Sequence, residues 1–294
     1  MIKSSKGEKV FQYVDILIMI LIMVSIILPF MNIFSLSVSD RIAVAQGKVG
    51  IFPIGFSFGA YLKILQNNTF LRSLVNTVGI TVFGTAFSII IITMMAYAMS
   101  KKYFFGKKIV THYMIITMYF SGGLIPTYLL ITNYLHLGNT YLAYILPATV
   151  NIFYVIVIRS QIEAVPGELF DSASIDGASE MRILFNIVLP VIAPTIAAIS
   201  MFLALGKWNM WYSVLLYSTD KKLWSLQYYL RMIIFESLLE ASTQTIGESI
   251  DAKVIPAENM QMASIILVAL PIVAIYPFVQ KYFVKGILAG SVKG

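Results

Sequence analysis

Long apolar runs without charge constrain this chain most. Leu74–Met99 contains no Asp, Glu, Lys or Arg, and Ile16–Phe34, Tyr141–Ile158 and Met262–Gln280 are equally uncharged. About 20 apolar residues wound as a helix cross a bilayer core with every backbone polar group satisfied internally. Two further stretches qualify. Ile109–Tyr134 holds only His112 and a Gly122-Gly123-x-x-Pro126 break, and Ile187–Tyr217 holds only Lys207. The expectation is an all-α membrane protein with six transmembrane helices.

The rest of the composition agrees. The chain is 59% hydrophobic and 12% charged, with mean hydropathy +0.83. A soluble domain is nearer about half apolar and about a quarter charged. The absence of cysteine excludes disulfides and thiolate metal sites. A net charge of +7 raises nucleic acid as a partner, but the lysines flank apolar runs, the pattern of membrane-side anchoring. The partner is therefore lipid, not nucleic acid. The first run is too long for a secretory signal, and Ala43-Val44-Ala45 lies too far beyond it, so a retained anchor is expected.

Lysine and arginine set orientation. Lys3, Lys6, Lys9, the Lys101–Lys108 cluster, Arg159, Arg182, Lys281, Lys285 and Lys293 fall on one side, and the cluster is the strongest part of the bias. This places both termini and the 161–190 loop in the cytoplasm. Two long loops face outward. In Ser35–Ser73, Phe58–Leu65 suits an interfacial helix. In Ser218–Gln261, Trp224, Tyr228 and Tyr229 suit a headgroup belt or contact with an external partner.

In the 161–190 loop a polar run, Gln161 to Arg182, interrupts the apolar sequence. It carries Glu163, Glu168, Asp171, Asp176, Glu180 and Arg182. Pro166-Gly167-Glu168 opens a helix, with proline in the first turn and an acid favoured by the dipole. Asp176-Gly177 signals a turn, since glycine tolerates positive φ. Met181, Leu184, Phe185 and Val188 then recur at i, i+3, i+4 and i+7, the spacing of one apolar face. Pro190 and Pro194 kink or start the next span. Two short helices with a bend are expected between spans four and five, their apolar stripe needing a groove to fill.

This run resembles the EAA loop of the membrane subunits of ATP-binding-cassette importers. Asp171-Ser172-Ala173 stands in the triplet, Gly177 is the glycine, residues 178–186 supply the spacing, and Ile187-x-Leu189-Pro190 closes it. Asp171 and Ser172 depart conservatively from the commonest triplet. Phe70-Leu71-Arg72-Ser73-Leu74-x-Asn76-Thr77, Gly122–Tyr128, Trp208-Asn209-x-Trp211 and Tyr276–Gly286 resemble the carbohydrate group, in its complex-oligosaccharide subgroup. The resemblance implies one permease domain over 1–294, with its core at 70–285, in a bacterial cell membrane. It implies a homologous permease subunit as partner in a heterodimer, two cytoplasmic ATPase subunits, and an extracellular sugar-binding protein. ATP and Mg would sit on the ATPase, with no cofactor on this chain. The residues it assigns to ATPase coupling are Glu168, Asp171, Ser172, Ala173, Asp176, Gly177, Ala178, Met181, Leu184, Phe185, Ile187, Leu189 and Pro190. In relatives the tail also touches the ATPase, here Lys285–Gly294.

Rival readings are weaker. No phosphate loop is present: Gly206-Lys207 has Met201 where the first glycine belongs. A secondary transporter or channel needing no ATPase is the alternative, yet ion-coupled transport calls for acids or histidines deep in the membrane. An enzyme finds no constellation, since His112 and His136 are far apart. Asn151, Tyr154, Trp208, Asn209 and Trp211 are polar or amphipathic residues within spans and are candidates for a sugar path, against a plain role in helix packing and anchoring. Lys207 is the one deep charge. It can snorkel to a span end, pair with a partner or face a wet cavity.

Overall fold

A computed structural model describes residues 6–243 and 256–291. The regular secondary structure of the described residues is helical, apart from one antiparallel bridge between Ser39 and Phe56. The helices are α1 (Lys6–Val38), α2 (Arg41–Ala45), α3 (Gly59–Leu65), α4 (Asn68–Ser100), α5 (Lys107–Tyr119), α6 (Leu124–Leu129), α7 (Leu142–Ile145) and α8 (Ile152–Glu163). After them come α9 (Gly167–Ile175), α10 (Glu180–Ile183), α11 (Leu189–Val191), α12 (Ala193–Trp208), α13 (Tyr212–Tyr217), α14 (Leu226–Thr243) and α15 (Ala257–Ser291).

Among the described residues, three helices are long and apolar enough to cross a membrane unbroken: Gly7–Val38, Asn68–Ser100 and Ala257–Pro277. Two bent pairs raise the number to five if each is one span. Lys107–Tyr119 and Leu124–Tyr134 meet at 110°, and Glu180–Val191 and Ala193–Trp208 at 85°. The first bend falls at the Gly122-Gly123 break, where Gly123 has φ +86°, open to glycine at no steric cost. The run expected as a fourth span, Tyr141–Ile158, is interrupted. α7 stops at Ile145 and α8 starts at Ile152, with Pro147 between them. Proline lacks an N–H and disfavours helix in the residue before it.

Contacts divide the chain into two compact units. One comprises Met1–Asn68 and Leu230–Pro271. Within it, α1 is exposed from Gly7 to Met31, and Ser35–Ser39 at its end are buried. That end is fixed by polar contacts. The Asn259 amide donates to the carbonyls of Leu36 (2.8 Å) and Ser39 (3.2 Å). Ser37 and Tyr61 share a hydroxyl hydrogen bond of 2.7 Å, which ties α3 to α1.

The other unit comprises Thr69–Tyr229 and Ile272–Gly294. Its core joins Ile92, Ala96 and Tyr97 of α4, Met114 of α5, Val155, Ile158 and Ile162 of α8, and Ile199 and Leu203 of α12. At the other end of α4, the Asn76 amide donates to the carbonyls of Lys222 (2.8 Å) and Trp224 (3.0 Å) and accepts from the Tyr141 hydroxyl (2.8 Å). Thr77 Oγ1 accepts from Leu226 N at 2.7 Å. Tyr228 and Tyr229 are consequently buried, Tyr229 edge-on to Phe70 at 5.7 Å, rather than displayed as a belt.

Candidate functional site

The 161–190 stretch folds as an elbow. Pro166, at φ −55° and ψ 130°, precedes α9, and Glu168 lies in the first turn, where the helix dipole favours an acid. The helix ends in a complete Schellman motif. Gly177 N donates to the Ser174 carbonyl (3.1 Å) and Ala178 N to the Ala173 carbonyl (2.9 Å), with Gly177 at φ +71°. Ser179 caps the next helix, its hydroxyl accepting from Arg182 N at 3.4 Å. A π turn at Leu184–Val188 follows, then Pro190, which has no N–H for the helical ladder.

The elbow has an anchored side and an open side. Ala173, Ile183, Leu184 and Val188 join the core shared with α4, α5, α8 and α12. Leu184 is 2% exposed, whereas Phe185 is 54% and Ile175 86% exposed. Leu169 and Met181 are exposed as well. The stripe expected on one face is therefore split: Leu184 and Val188 belong to the chain's own core, and Met181 and Phe185 point away from it. The π turn is the physical reason, because it offsets the register that a 3.6-residue period assumes. Glu168, Asp171, Ser172, Asp176, Gly177 and Pro190 are exposed; Ala178, Ile187 and Leu189 are half-buried.

Two ionic clasps hold the elbow's ends. Glu180 Oε2 takes the Lys101 ammonium at 2.6 Å and the Tyr97 hydroxyl at 2.5 Å, and the Lys101 amine also lies 4.3 Å from the Tyr97 ring centre. Glu163 Oε1 takes Lys107 and Arg159, each at 2.9 Å, and Arg159 donates on to Thr111 Oγ1 at 3.0 Å. Hydrogen bonds from Lys101 and then Tyr97 hold the Glu180 carboxyl below the usual carboxylate range. For Glu163, burial pushes upward, but the bonds from Lys107 and Arg159 outweigh it and the carboxyl is lowered. Burial likewise pushes Lys101 down, and its contacts with Glu180 and Tyr97 reverse the direction. Beside the first clasp lies a cleft of about 520 Å³, lined by Tyr97, Lys101, Phe104, Glu180, Met181 and Leu184 among others.

Sequence reasoning used Lys101, Lys107 and Arg159 for orientation alone and missed their pairing. The only local signal is an acid in the first turn after a capping serine. Nothing in a one-dimensional pattern links Glu180 to Tyr97, 83 residues earlier.

The candidates for a sugar path fall at two separate helix breaks. Asn151 caps α8, its Oδ1 accepting from Phe153 N at 3.0 Å, and Tyr154 packs edge-on to Phe153. Trp208, Asn209 and Trp211 mark the α12–α13 break. Asn209 Nδ2 donates to the Leu205 carbonyl, and Gln227 donates to Asn209 Oδ1, both at 3.0 Å. Trp208 is buried. Lys207 does not snorkel: it is 3% exposed, and Nζ has no hydrogen-bond partner. The tail Lys285–Gly294 lies outside the residues whose side chains are described.

No protein-family profile matches the chain. Individual proteins do. It is 39% identical over 291 residues to Protein LplC of Bacillus subtilis, covering 99% of this chain and 97% of that one. It is 36% identical over 269 residues to the polygalacturonan/rhamnogalacturonan transport system permease protein YtcP of the same organism, covering 91% and 93%. Its fold superposes on a chain of a bacterial ABC transporter involved in import of the acidic polysaccharide alginate, with a TM-score of 0.85, 28% identity, and coverage of 96% of this chain and 100% of that one. An all-helical chain with several membrane-length apolar helices, matched end to end by these relatives, belongs to the permease subunits of ATP-binding-cassette carbohydrate importers.

Proposed function

We propose that the 161–190 elbow is the surface through which this permease receives the work of a separate ATPase. The observation that carries the reading is the elbow's two-sidedness. Ala173, Ile183, Leu184 and Val188 root it in the helices that line the core, while Leu169, Ile175, Met181 and Phe185 are left without cover. Apolar side chains on a short helix need a groove, and a rigid root lets a push on the exposed side move α4, α8 and α12 together. The Glu180 and Glu163 clasps stiffen that root at both ends.

Six spans follow from counting the bent 107–134 pair, the interrupted 141–158 run and α12 with α13 as single crossings, α10 and α11 belonging to the elbow, and the lysine and arginine bias puts both termini in the cytoplasm. Pro147 and the Gly122-Gly123 pair break these runs without supplying polar loops, so the segments suit broken spans rather than exits. The path itself is shared with a second, homologous permease, because six helices are few to enclose a large sugar. An extracellular binding protein delivers the cargo. The names of the relatives support an oligosaccharide cargo: YtcP is a polygalacturonan/rhamnogalacturonan permease, and the matched structure imports alginate.

Affinity purification in mild detergent tests this. An ATPase and a second permease co-purifying with the native chain, and the ATPase lost from a Phe185→Asp variant that keeps the second permease, are the expected results. A native chain that purifies as a lone homodimer with transport activity favours a secondary transporter or channel.

A further inference from the structure

Lys207 is a charge with no explanation in the coupling account. It lies on α12, and its side chain crosses α4 at Gly84. A Cβ built there would meet Lys207 Cδ at 2.9 Å, Cε at 3.1 Å and Nζ at 3.4 Å. Gly84 is the midpoint of the 33-residue α4, about 24 Å from either end at 1.5 Å per residue. The amine therefore sits at mid-membrane depth, 3% exposed and unpartnered.

Its surroundings are polar in an unusual way. Thr81 and Ser88 lie one turn before and one turn after Gly84 on the same face of α4, and Thr85 adjoins it. The hydroxyl oxygens of all three are buried without a hydrogen-bond partner. Hydroxyls in apolar helices ordinarily bond back to a carbonyl one turn earlier, as Thr111 and Ser264 do here. Three that decline this option, two of them on the face of α4 that the Lys207 side chain crosses, are groups left waiting for an acceptor. Among the described residues, the neighbouring helices supply no free carboxylate. Across α4–α8, α12 and α13 the single acidic residue is Glu163, already taken by Lys107 and Arg159. An intramembrane charge of this kind marks a functional position.

We propose that Lys207, with the hydroxyls of Thr81, Thr85 and Ser88, is a station for a carboxylate of the transported saccharide, so that the cargo belongs to the uronate-bearing class. This rests on the importer reading above. The amine is the only group in the station that gains a charge-assisted bond from a carboxylate, since hydroxyls serve neutral and acidic sugars alike. Here the amine is covered by the chain's own helices, so the carboxylate reaches it in a state where α12 and α4 part. Gly84, which has no side chain, leaves the amine room to swing.

The test uses the complete complex, with both permeases, the ATPase and the binding protein, in proteoliposomes. Uptake of galacturonate and mannuronate trimers is compared with uptake of their neutral methyl esters. The native complex carries at least one acid trimer in preference to its ester. In Lys207→Met, close in volume but uncharged, the acid-to-ester ratio falls about tenfold or more, and in Lys207→Arg it recovers. A ratio unchanged in Lys207→Met overturns the proposal, whether total uptake falls or not, because Lys207 is then a packing residue. A native complex that carries neither acid trimer overturns it too. ATP hydrolysis by the same preparations tests the importer reading separately: hydrolysis stimulated by the loaded binding protein upholds that reading even where the ratio contradicts the Lys207 station.

Discussion

Leu184 and Phe185 are neighbours in sequence with opposite placements, and replacing each by alanine separates the elbow's root from its docking face. Leu184 is 2% exposed and packs in the core, so Leu184→Ala loses its transfer energy and leaves a cavity, about 3 kcal/mol. Phe185 is 54% exposed, so less than half of its burial energy is at stake, about 1 kcal/mol. At about 2–4 °C per kcal/mol for a chain of this size, the melting temperature falls roughly 6–12 °C in the first variant and about 2–4 °C in the second. ATPase affinity runs the other way. An exposed aromatic at the centre of a docking face is worth about 2 kcal/mol, roughly thirty-fold, in Phe185→Ala. Heat-step gel filtration of the purified permease pair and titration with the ATPase read the two quantities. Equal thermal losses, or a larger loss for Phe185, would refute the assignment of one side chain to the core and the other to a partner.

Other consequences follow from the elbow's local geometry. Gly177 has φ +71° with nothing within 4 Å of its would-be Cβ, so Gly177→Ala strains the backbone without a clash; about 1 kcal/mol of stability is lost, measurable by the same heat-step assay. The Glu180 carboxyl is lowered by Lys101 and Tyr97, so its contribution is complete above the ordinary carboxylate range and disappears as pH falls through the lowered folded value. The Glu180 side chain is 66% exposed, and solvent screening limits the clasp to about 0.5 kcal/mol. Melting curves from neutral to acid pH should therefore decline slightly less in Glu180→Gln than in the native protein, and a steeper decline would contradict the clasp.

Much of this arrangement is legible in the sequence where a residue type has one physical use. Asp176-Gly177 announces the turn, and the structure supplies the Schellman bonds that glycine permits. The uncharged Leu74–Met99 run becomes the centre of α4, and Gly122-Gly123 becomes a bend. Hydropathy is blind to breaks within apolar runs, and so Tyr141–Ile158 reads as continuous although Pro147 interrupts it. Periodicity assumes 3.6 residues per turn, and the π turn at Leu184–Val188 divides a stripe that the spacing puts on one face. Pairings across long separations, such as Glu180 with Tyr97 or Lys207 with Gly84, have no one-dimensional signature. The depth of Lys207 was readable, but its lack of a partner emerged only from the packing.

Because the chain contains no cysteine, one introduced thiol reports its neighbours unambiguously. Ser172→Cys, on the exposed side of α9, is the most direct probe of the docking face. With a maleimide–benzophenone reagent on that thiol in inverted membrane vesicles, illumination is expected to crosslink the ATPase subunit, with a yield that changes when nucleotide binds. A thiol that reacts only from the external side of intact cells, or links only to this chain's own helices, would contradict it.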